Sequence, residues 1–440
     1  MTEAEPLTDE EAPGMTEPGM TEPVMRVAFV LGTSAGGVGR HVAMLAGGLV
    51  RRGHRVVVAG PQSTEESFGF TRLGARFLPV SISDRPRPGG DLRAVRALRG
   101  LRSADAVHAH GLRAGALAAL ALAGTGTGLV VTLHNAATAG GAVGAIYGVL
   151  ERIVARRADR VLVVSPDLGE RMTALGARHV EPAVVPAPPL PPSGREPWEV
   201  RAELGAGDRP ILLTVARLAQ QKGLETLLDV AAAVASGPAP GRLIAEDAAS
   251  GTPAHPHAQD AASGTPVHRE PGDLVSGTSA EPDLRSPGDG KDGPGTGALF
   301  LVAGEGPLRD ELQRRIDAQG LPVRLLGNRD DVGDLLGAAR ALVVPSRWEG
   351  QPLSVQEALR AGIPVIATAV GGIPPMVGRA GTLVPYGDAA AMSEAVRQVL
   401  ADDGFARRLS EEAARRGREL PGEPEALEAV LAVYTGLRSS

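Results

Sequence analysis

The chain has 440 residues, room for about two domains of ordinary size. With no cysteine it can build neither disulfides nor thiolate metal sites, and no apolar run approaches the roughly twenty residues that span a bilayer. Net charge is a modest −6 and aromatic residues make up only 2% of the chain, too few for base-stacking platforms, so no nucleic acid is expected as a partner.

The first 24 residues carry seven acids and no base, and repeat Met15-Thr-Glu-Pro18 as Met20-Thr-Glu-Pro23. They lack the basic start and apolar centre of a secretory signal. A disordered leader over residues 1–24 is expected before a fold starting near Met25, in a cytoplasmic protein.

Short β-branched runs then alternate with helical stretches. Strands are predicted at Arg26–Leu31, Arg55–Ala59, Arg76–Val80, Ala106–Ala109, Leu129–Leu133, Arg160–Val164 and Ala183–Val185. Helices fall between most of them, including His41–Arg51, Leu92–Arg102, Val143–Arg157 and Asp167–Leu175. Near-continuous apolar strands separated by helices imply a parallel sheet covered on both faces. Residues 25–187 are read as one such domain, and the Pro-rich stretch 188–197 as a linker.

Ligands of open α/β sheets bind beyond the carboxyl ends of the strands, so the residues following each strand are the candidates. After the first strand comes Gly32-Thr-Ser-Ala-Gly-Gly-Val-Gly-Arg40, a Gly-rich turn opening a helix, where backbone can approach a phosphate. A dinucleotide fold is disfavoured: the G-x-G-x-x-G pattern is missing, and Gly60-Pro61 stands where an acid would end the second strand. His108, His110 and His134 follow strands at one sheet edge. Each alone is most simply structural, but three together suggest a polar site facing a cleft. A zinc pair from His108 and His110 is not expected, on the premise that their side chains leave the strand on opposite faces.

Between Arg26 and Ala187 twenty arginines stand against ten acids. Arg93, Arg96, Arg99 and Arg102 recur every third residue in one predicted helix, which spreads them over a broad face. Such a face suits an anionic small molecule or the inner membrane surface, and a merely solvated surface would look the same.

The second half restarts the alternation with predicted strands at Ile211–Ala216, Leu299–Ala303, Val323–Leu326, Ala341–Val344, Pro364–Ala367 and Thr382–Val384. Helices are expected at Leu224–Ala235, Leu308–Gln319, Asp330–Ala338, Leu353–Ala361 and Ala389–Leu400, with three helical segments from Ala389 toward Leu437. Residues 198–420 are read as the second domain, and 421–440 as a helix packing back toward the first. The interval 237–297 is rich in Gly, Pro, Ala, Ser and Asp, and repeats Asp247-Ala-Ala-Ser-Gly-Thr-Pro from Asp260. It is expected to be a disordered insertion, with His255, His257 and His268 incidental.

Arg217 and Lys222 flank the turn after the first strand of this domain, well placed for a diphosphate. Lys222 and Lys291 are the only lysines, and Lys291 falls in the insertion. Gly304-Glu-Gly-Pro307 makes another tight turn. Glu349 follows the strand Ala341–Val344 and Glu357 lies in the helix after it, with Pro352 expected at the first helical position. Carboxylates only accept hydrogen bonds and suit ligands rich in hydroxyls.

Four motifs in order, Ala216-Arg-Leu-Ala-Gln-Gln-Lys-Gly223, Val302-Ala-Gly-Glu-Gly-Pro307, the pair Glu349 and Glu357, and Ala361-Gly-Ile-Pro-Val-Ile-Ala-Thr368, together resemble the family 4 retaining glycosyltransferases (glycosyl transferases group 1). The resemblance covers about residues 25–440 apart from the insertion. It implies an α/β architecture of two doubly wound, Rossmann-like domains facing a cleft, the GT-B fold. It implies transfer of a hexose-type sugar from a UDP- or GDP-sugar, with retention, to an unknown acceptor held by the first domain, for which the arginine face would suit an anionic or lipid-linked molecule. By that resemblance Glu357 accepts bonds from the nucleotide ribose and Glu349 from the donor sugar. Arg217 and Lys222 bind the diphosphate, Gly36 and Gly37 close over it, and His134 lies near the transferred sugar. Gly304, Gly350, Gln351 and Leu353 complete the donor pocket. Pro375 departs from the acid many members carry after Gly-Gly-x-x. No Asp-x-Asp occurs, so no metal or other cofactor is expected. A nucleotide-sugar epimerase, a phosphorylase of the same fold, or a non-catalytic sugar-nucleotide scaffold are the alternatives.

Overall fold

The computed structural model describes residues 23–33, 36–83, 86–136, 141–190, 194–237 and 297–438. The expected leader, except its last two residues, and almost all of the expected insertion, with His255, His257, His268 and Lys291, lie outside the described residues.

Two parallel sheets organise the molecule. The first contains β1 (Arg26–Leu31), β2 (Arg55–Gly60), β3 (Arg76–Pro79), β4 (Ala106–His110), β5 (Gly128–Leu133), β6 (Arg160–Val163) and β7 (Val180–Pro182), in the order β3-β2-β1-β4-β5-β6-β7. The second contains β8 (Ile211–Val215), β9 (Leu299–Ala303), β10 (Val323–Gly327), β11 (Ala341–Val344), β12 (Val365–Thr368) and β13 (Gly381–Val384), in the order β10-β9-β8-β11-β12-β13. The central strands β4, β9, β11 and β12 are buried along their whole length, as expected of strands covered on both faces by helices. Each sheet reverses its strand order once, between β1 and β4 and between β8 and β11. At these switch points the connecting loops part and leave a crevice beyond the strand ends. Both crevices face the same cleft.

The expected strand Ala183–Val185 is corrected: pairing with β6 is made by Val180–Pro182. Just after it, Ala183 and Val185 are buried in the apolar core of the first half, but only Ala183 N–H continues the pairing, to the Val163 carbonyl. The predicted helix Leu92–Arg102 is also corrected. It runs Pro88–Leu98 and tightens to a 3-10 turn over Arg99–Ser103, which divides the four arginines between two segments. Leu112–Ala121 is a helix that the sequence did not announce. Nearly every residue from Ala114 on is buried, so no polar stripe marks a 3.6-residue period. The helices Pro88–Leu98, Leu112–Ala121 and Gly141–Arg157 lie side by side on one face of the first sheet.

The last helix, Glu423–Arg438, crosses to the first sheet. Its Ala426, Leu427, Val430, Leu431 and Tyr434 are buried in the same apolar cluster as Phe29, Leu45 and Leu49. Burial at roughly 1.5–3 kcal/mol per large apolar side chain holds this helix there. The surface pairs Arg51–Glu423 and Arg52–Glu428 add little by comparison. Among the described residues no helix is long and apolar enough to cross a membrane.

Candidate active site in the cleft

A cavity of about 470 Å³ lies between the two sheets. Strand-end loops and helix starts of the first half contribute Gly36, Gly37, Val38, Arg40, His134, Asn135 and Val164; those of the second contribute Arg217, Gln221, Lys222 and the run from Trp348 to Ser354. Of the residues expected from sequence, Gly36, Gly37, His134, Arg217, Lys222, Glu349, Gly350, Gln351 and Leu353 therefore come together. Glu357 and Gly304 do not line the cavity.

Its best-defined pair is Lys222 and Glu349. Lys222 Nζ lies 2.6 Å from Glu349 Oε1, and the Ser346 hydroxyl donates to the same oxygen at 2.6 Å. Glu349 is only 7% exposed; its Oε2 makes no hydrogen bond among the described residues and is left for a ligand's hydroxyls. The approach of these loops depends on Gly223. Its φ is +60°, and a Cβ there would stand 2.1 Å from the Pro345 carbonyl oxygen. Arg217 is exposed beside Lys222 with no carboxylate partner among the described residues. An unneutralised guanidinium next to a lysine makes this edge strongly attractive to anions.

Gly304 acts one layer behind. Its φ is +142°, a Cβ would lie 2.0 Å from the Ala216 carbonyl oxygen, and Leu218 N–H donates to the Glu305 carbonyl. The Gly304-Glu-Gly turn thus cradles the loop that carries Arg217 and supports it from behind. Pro352 caps the helix Leu353–Arg360 from just outside, one position earlier than expected.

Glu357 is partly buried on that helix. Desolvation raises its pKa, and the charges of Arg40 and Arg360 offset part of the rise. Arg40 reaches it from the first half, on the opening turn of the helix Gly37–Arg51. Sequence reasoning passed over Arg40, whose only signal was its place at the end of the Gly-rich turn.

Several contacts hold the halves in register. Trp348 Nε1 donates to Asp167 at 2.8 Å, and Trp348 belongs to the core of the first half. The connection between the halves lies against the helix Leu353–Arg360 and the loop before it. Val185 N–H donates to Gln351 Oε1 at 3.0 Å, Ala187 N–H to Gln356 Oε1 at 2.8 Å, and Arg360 to the Ala187 carbonyl at 2.7 Å. Gln351 Nε2 also donates to the Ala183 carbonyl. The Gln351 amide is therefore engaged at both ends, and only the rest of the residue faces the cavity.

Beneath His134 lies a stack of buried imidazoles. His108 and His110 rings are 4.3 Å apart, on the same face of β4. The expectation that they diverge is corrected, because residues two apart on a strand share a face. His108 bonds Tyr434 Oη and Thr132 Oγ1, each at 2.6 Å. His110 Nδ1 meets His134 Nε2 at 3.0 Å, and His41 lies edge-on to both of these rings. Burial drives all four toward the neutral form: His108 falls to about 3 and His134 to about 4, with His41 and His110 well below the usual value. His134 reaches the cleft with part of its surface, yet its ring lies within the stack. Among the described residues no group of three or more His, Asp or Glu side chains could hold a metal ion.

Residues 36–188 match the glycosyl transferase 4-like domain, and residues 290–402 match the glycosyl transferases group 1 domain. A 2-deoxystreptamine N-acetyl-D-glucosaminyltransferase of Streptomyces fradiae is 37% identical over 112 residues, covering 24% of this chain and 27% of that protein. An alpha-D-kanosaminyltransferase of Streptomyces kanamyceticus is 24% identical over 222 residues, 49% of this chain and 43% of the relative. The chain thus spans less than half the length of these relatives. Among solved structures, Anabaena Alr3699/HepE in complex with UDP and glucose superposes with a TM-score of 0.69 at 16% identity, covering 94% of this chain and 100% of that one. Sucrose-phosphate synthase from Thermosynechococcus elongatus gives 0.68 at 18% identity, over 94% and 99%.

Proposed function

The chain belongs to the family 4, group 1 glycosyltransferases of GT-B fold, and on that premise we propose that it transfers a hexose-type sugar from a nucleotide-sugar to an acceptor held by the first domain, with retention of configuration. The observation that carries the reading is the ion pair of Lys222 and the buried Glu349, with Arg217 alongside, at the strand ends of the second sheet. Two cations neutralise a diphosphate. A carboxylate with one oxygen fixed by Lys222 and Ser346 offers the other to sugar hydroxyls. Glu357 takes the ribose, and the charge of Arg40 from across the cleft opposes the desolvation that raises its pKa.

As the sugar–phosphate bond breaks, charge grows on the leaving diphosphate. Arg217, Lys222 and backbone N–H groups at the start of the helix Gly37–Arg51 stand ready for it. That set supplies the charge a metal would otherwise bring, so the reading needs none. The leaving phosphate takes the acceptor's proton during front-face attack, and no enzymic nucleophile is required. HepE was solved with UDP and with UDP-glucose, which supports a nucleotide-sugar in the corresponding cleft.

A panel of nucleotide-sugars in thermal-shift format tests this, since a donor that binds the native state raises its melting point. Glu357→Ala is expected to lose the shift. Glu349→Ala is expected to keep nucleotide binding and lose turnover. Wild-type behaviour of both variants would refute the site.

The acceptor reading is anionic or lipid-linked, at the cytoplasmic membrane face. The helix layer of the first domain supports it. Leu92, Leu120, Ile146 and Val149 are 43–54% exposed there, among exposed Arg93, Arg96, Arg99, Arg102, Arg152, Arg156 and Arg157. The acids of these three helices, Asp91 and Glu151, are not exposed and are paired with Arg113 and Arg171. Apolar side chains ringed by unopposed arginines suit an anionic lipid surface. The protein is expected to pellet with anionic vesicles at low salt and not with neutral ones. No pelleting would remove the membrane from the account.

A further inference from the structure

His110 makes one hydrogen bond, Nδ1 to His134 Nε2 at 3.0 Å; its Nε2 is buried without a partner among the described residues. Both rings are neutral at neutral pH, so a single proton lies between them. Two arrangements satisfy the contact. If His134 donates, His110 carries its own proton on Nε2, as a buried N–H with nothing to receive it. If His110 donates, its Nε2 is a bare lone pair, and no donor is orphaned. Orphaned buried N–H groups are the rarer and costlier fault. His108 cannot relieve His110 Nε2, because Tyr434 and Thr132 occupy both of its nitrogens. His134 Nδ1 makes no hydrogen bond among the described residues, and His134 lines the cavity together with Glu349, its carbonyl close to Gly350.

We propose that His110 is a positioning residue: by donating Nδ1–H to His134 Nε2 it fixes the proton of His134 on Nδ1, so that His134 meets the transferred sugar as a hydrogen-bond donor and not as a base. This rests on the reading of His134 as a group at the transferred sugar. It also gives that reading a direction. With its lone pair occupied from below, His134 cannot take the acceptor's proton, which leaves that task to the departing phosphate. A donor fits a hydroxyl or ring oxygen of the sugar.

The chain has nine histidines, few enough for long-range 1H–15N spectra of the whole protein labelled at histidine, with His134 assigned from the signal lost in His134→Gln. At neutral pH His134 is expected to show a protonated Nδ1 and a bare Nε2. An Nε2–H tautomer in the wild type overturns the inference. His110→Leu is expected to release His134 to mixed tautomers and lower kcat about tenfold, one hydrogen bond's worth, with donor KM little changed. His110→Asn, whose amide nitrogen comes close to the place of Nδ1, is expected to keep the Nδ1–H signature and most of kcat, whereas His110→Gln is not. This polar pair decides the matter if the leucine variant fails to fold, and equal spectra for the two would overturn the inference. Unchanged turnover in His134→Ala, with the wild-type tautomer as expected, would instead overturn the reading of His134 at the sugar.

Discussion

Lys222→Ala is expected to lower kcat about 10²–10³-fold, the usual cost of removing one preorganised group from a developing negative charge. No other lysine lies among the described residues, and Arg217, though adjacent, is exposed and loosely held. Lys222→Arg is not expected to rescue. The ammonium is a compact point charge held 2.6 Å from a carboxylate oxygen that also receives Ser346, and a planar fork needs a wider seat. The alanine variant will also be less stable, by about 1–3 kcal/mol, because a buried carboxylate loses its cation. Lys222→Ala combined with Glu349→Gln separates the two effects. It is expected to recover most of the stability and none of the turnover. Turnover within a few-fold of wild type in Lys222→Ala, measured as release of nucleoside diphosphate, would remove the lysine from the mechanism.

The histidine stack predicts acid lability well above the usual carboxylate range. His41, His108, His110 and His134 are held neutral in the fold, with pKa values below the ordinary 6.5, and become charged on unfolding. The unfolded chain therefore binds more protons below pH 6.5. The stability that neutral burial confers is present above that pH and is lost as pH falls, toward about 4 for His134 and about 3 for His108. Between pH 6.5 and 5.5 each histidine costs about 1 kcal/mol, so the four together remove about 3–4 kcal/mol over a range in which carboxylates stay ionised. Denaturant titrations across that unit of pH measure it, and His41→Gln should shrink the loss by about a quarter. Stability independent of pH there would show that the stack is not buried neutral. Tyr434 joins the same network from the last helix, so acid should also loosen the contact that ties the chain's end to the first sheet.

Fold and site were legible to different degrees, for physical reasons. Parallel strands buried on both faces leave apolar runs of four to six residues, which is why β1, β9 and β11 were bounded to the residue. The strand-end rule then collected Gly36, His134, Arg217, Lys222 and Glu349 before any geometry was known. What escaped was pairing at a distance. Trp348 with Asp167, Gln356 with Ala187, and His108 with Tyr434 are separated by 181, 169 and 326 positions, and no local period records such contacts. Ala183–Val185 misled for a related reason. Its apolar residues are buried in the core of the first half, but beyond the Ala183 N–H bond to the Val163 carbonyl their backbone turns to Gln351 and Gln356 of the other half instead of a sheet neighbour. Gly304 carried a motif's signature without lining the pocket, because close backbone packing and ligand contact both select glycine.

The central claim is that the diphosphate of a nucleotide-sugar lies at Lys222. It is tested most directly by calorimetric titration of a nucleoside diphosphate and of its parent nucleoside into the wild type and Lys222→Ala. If the diphosphate lies there, the wild type binds the diphosphate far more tightly than the nucleoside, and the variant loses most of that advantage while its nucleoside affinity is unchanged. An equal advantage in both proteins would contradict the account.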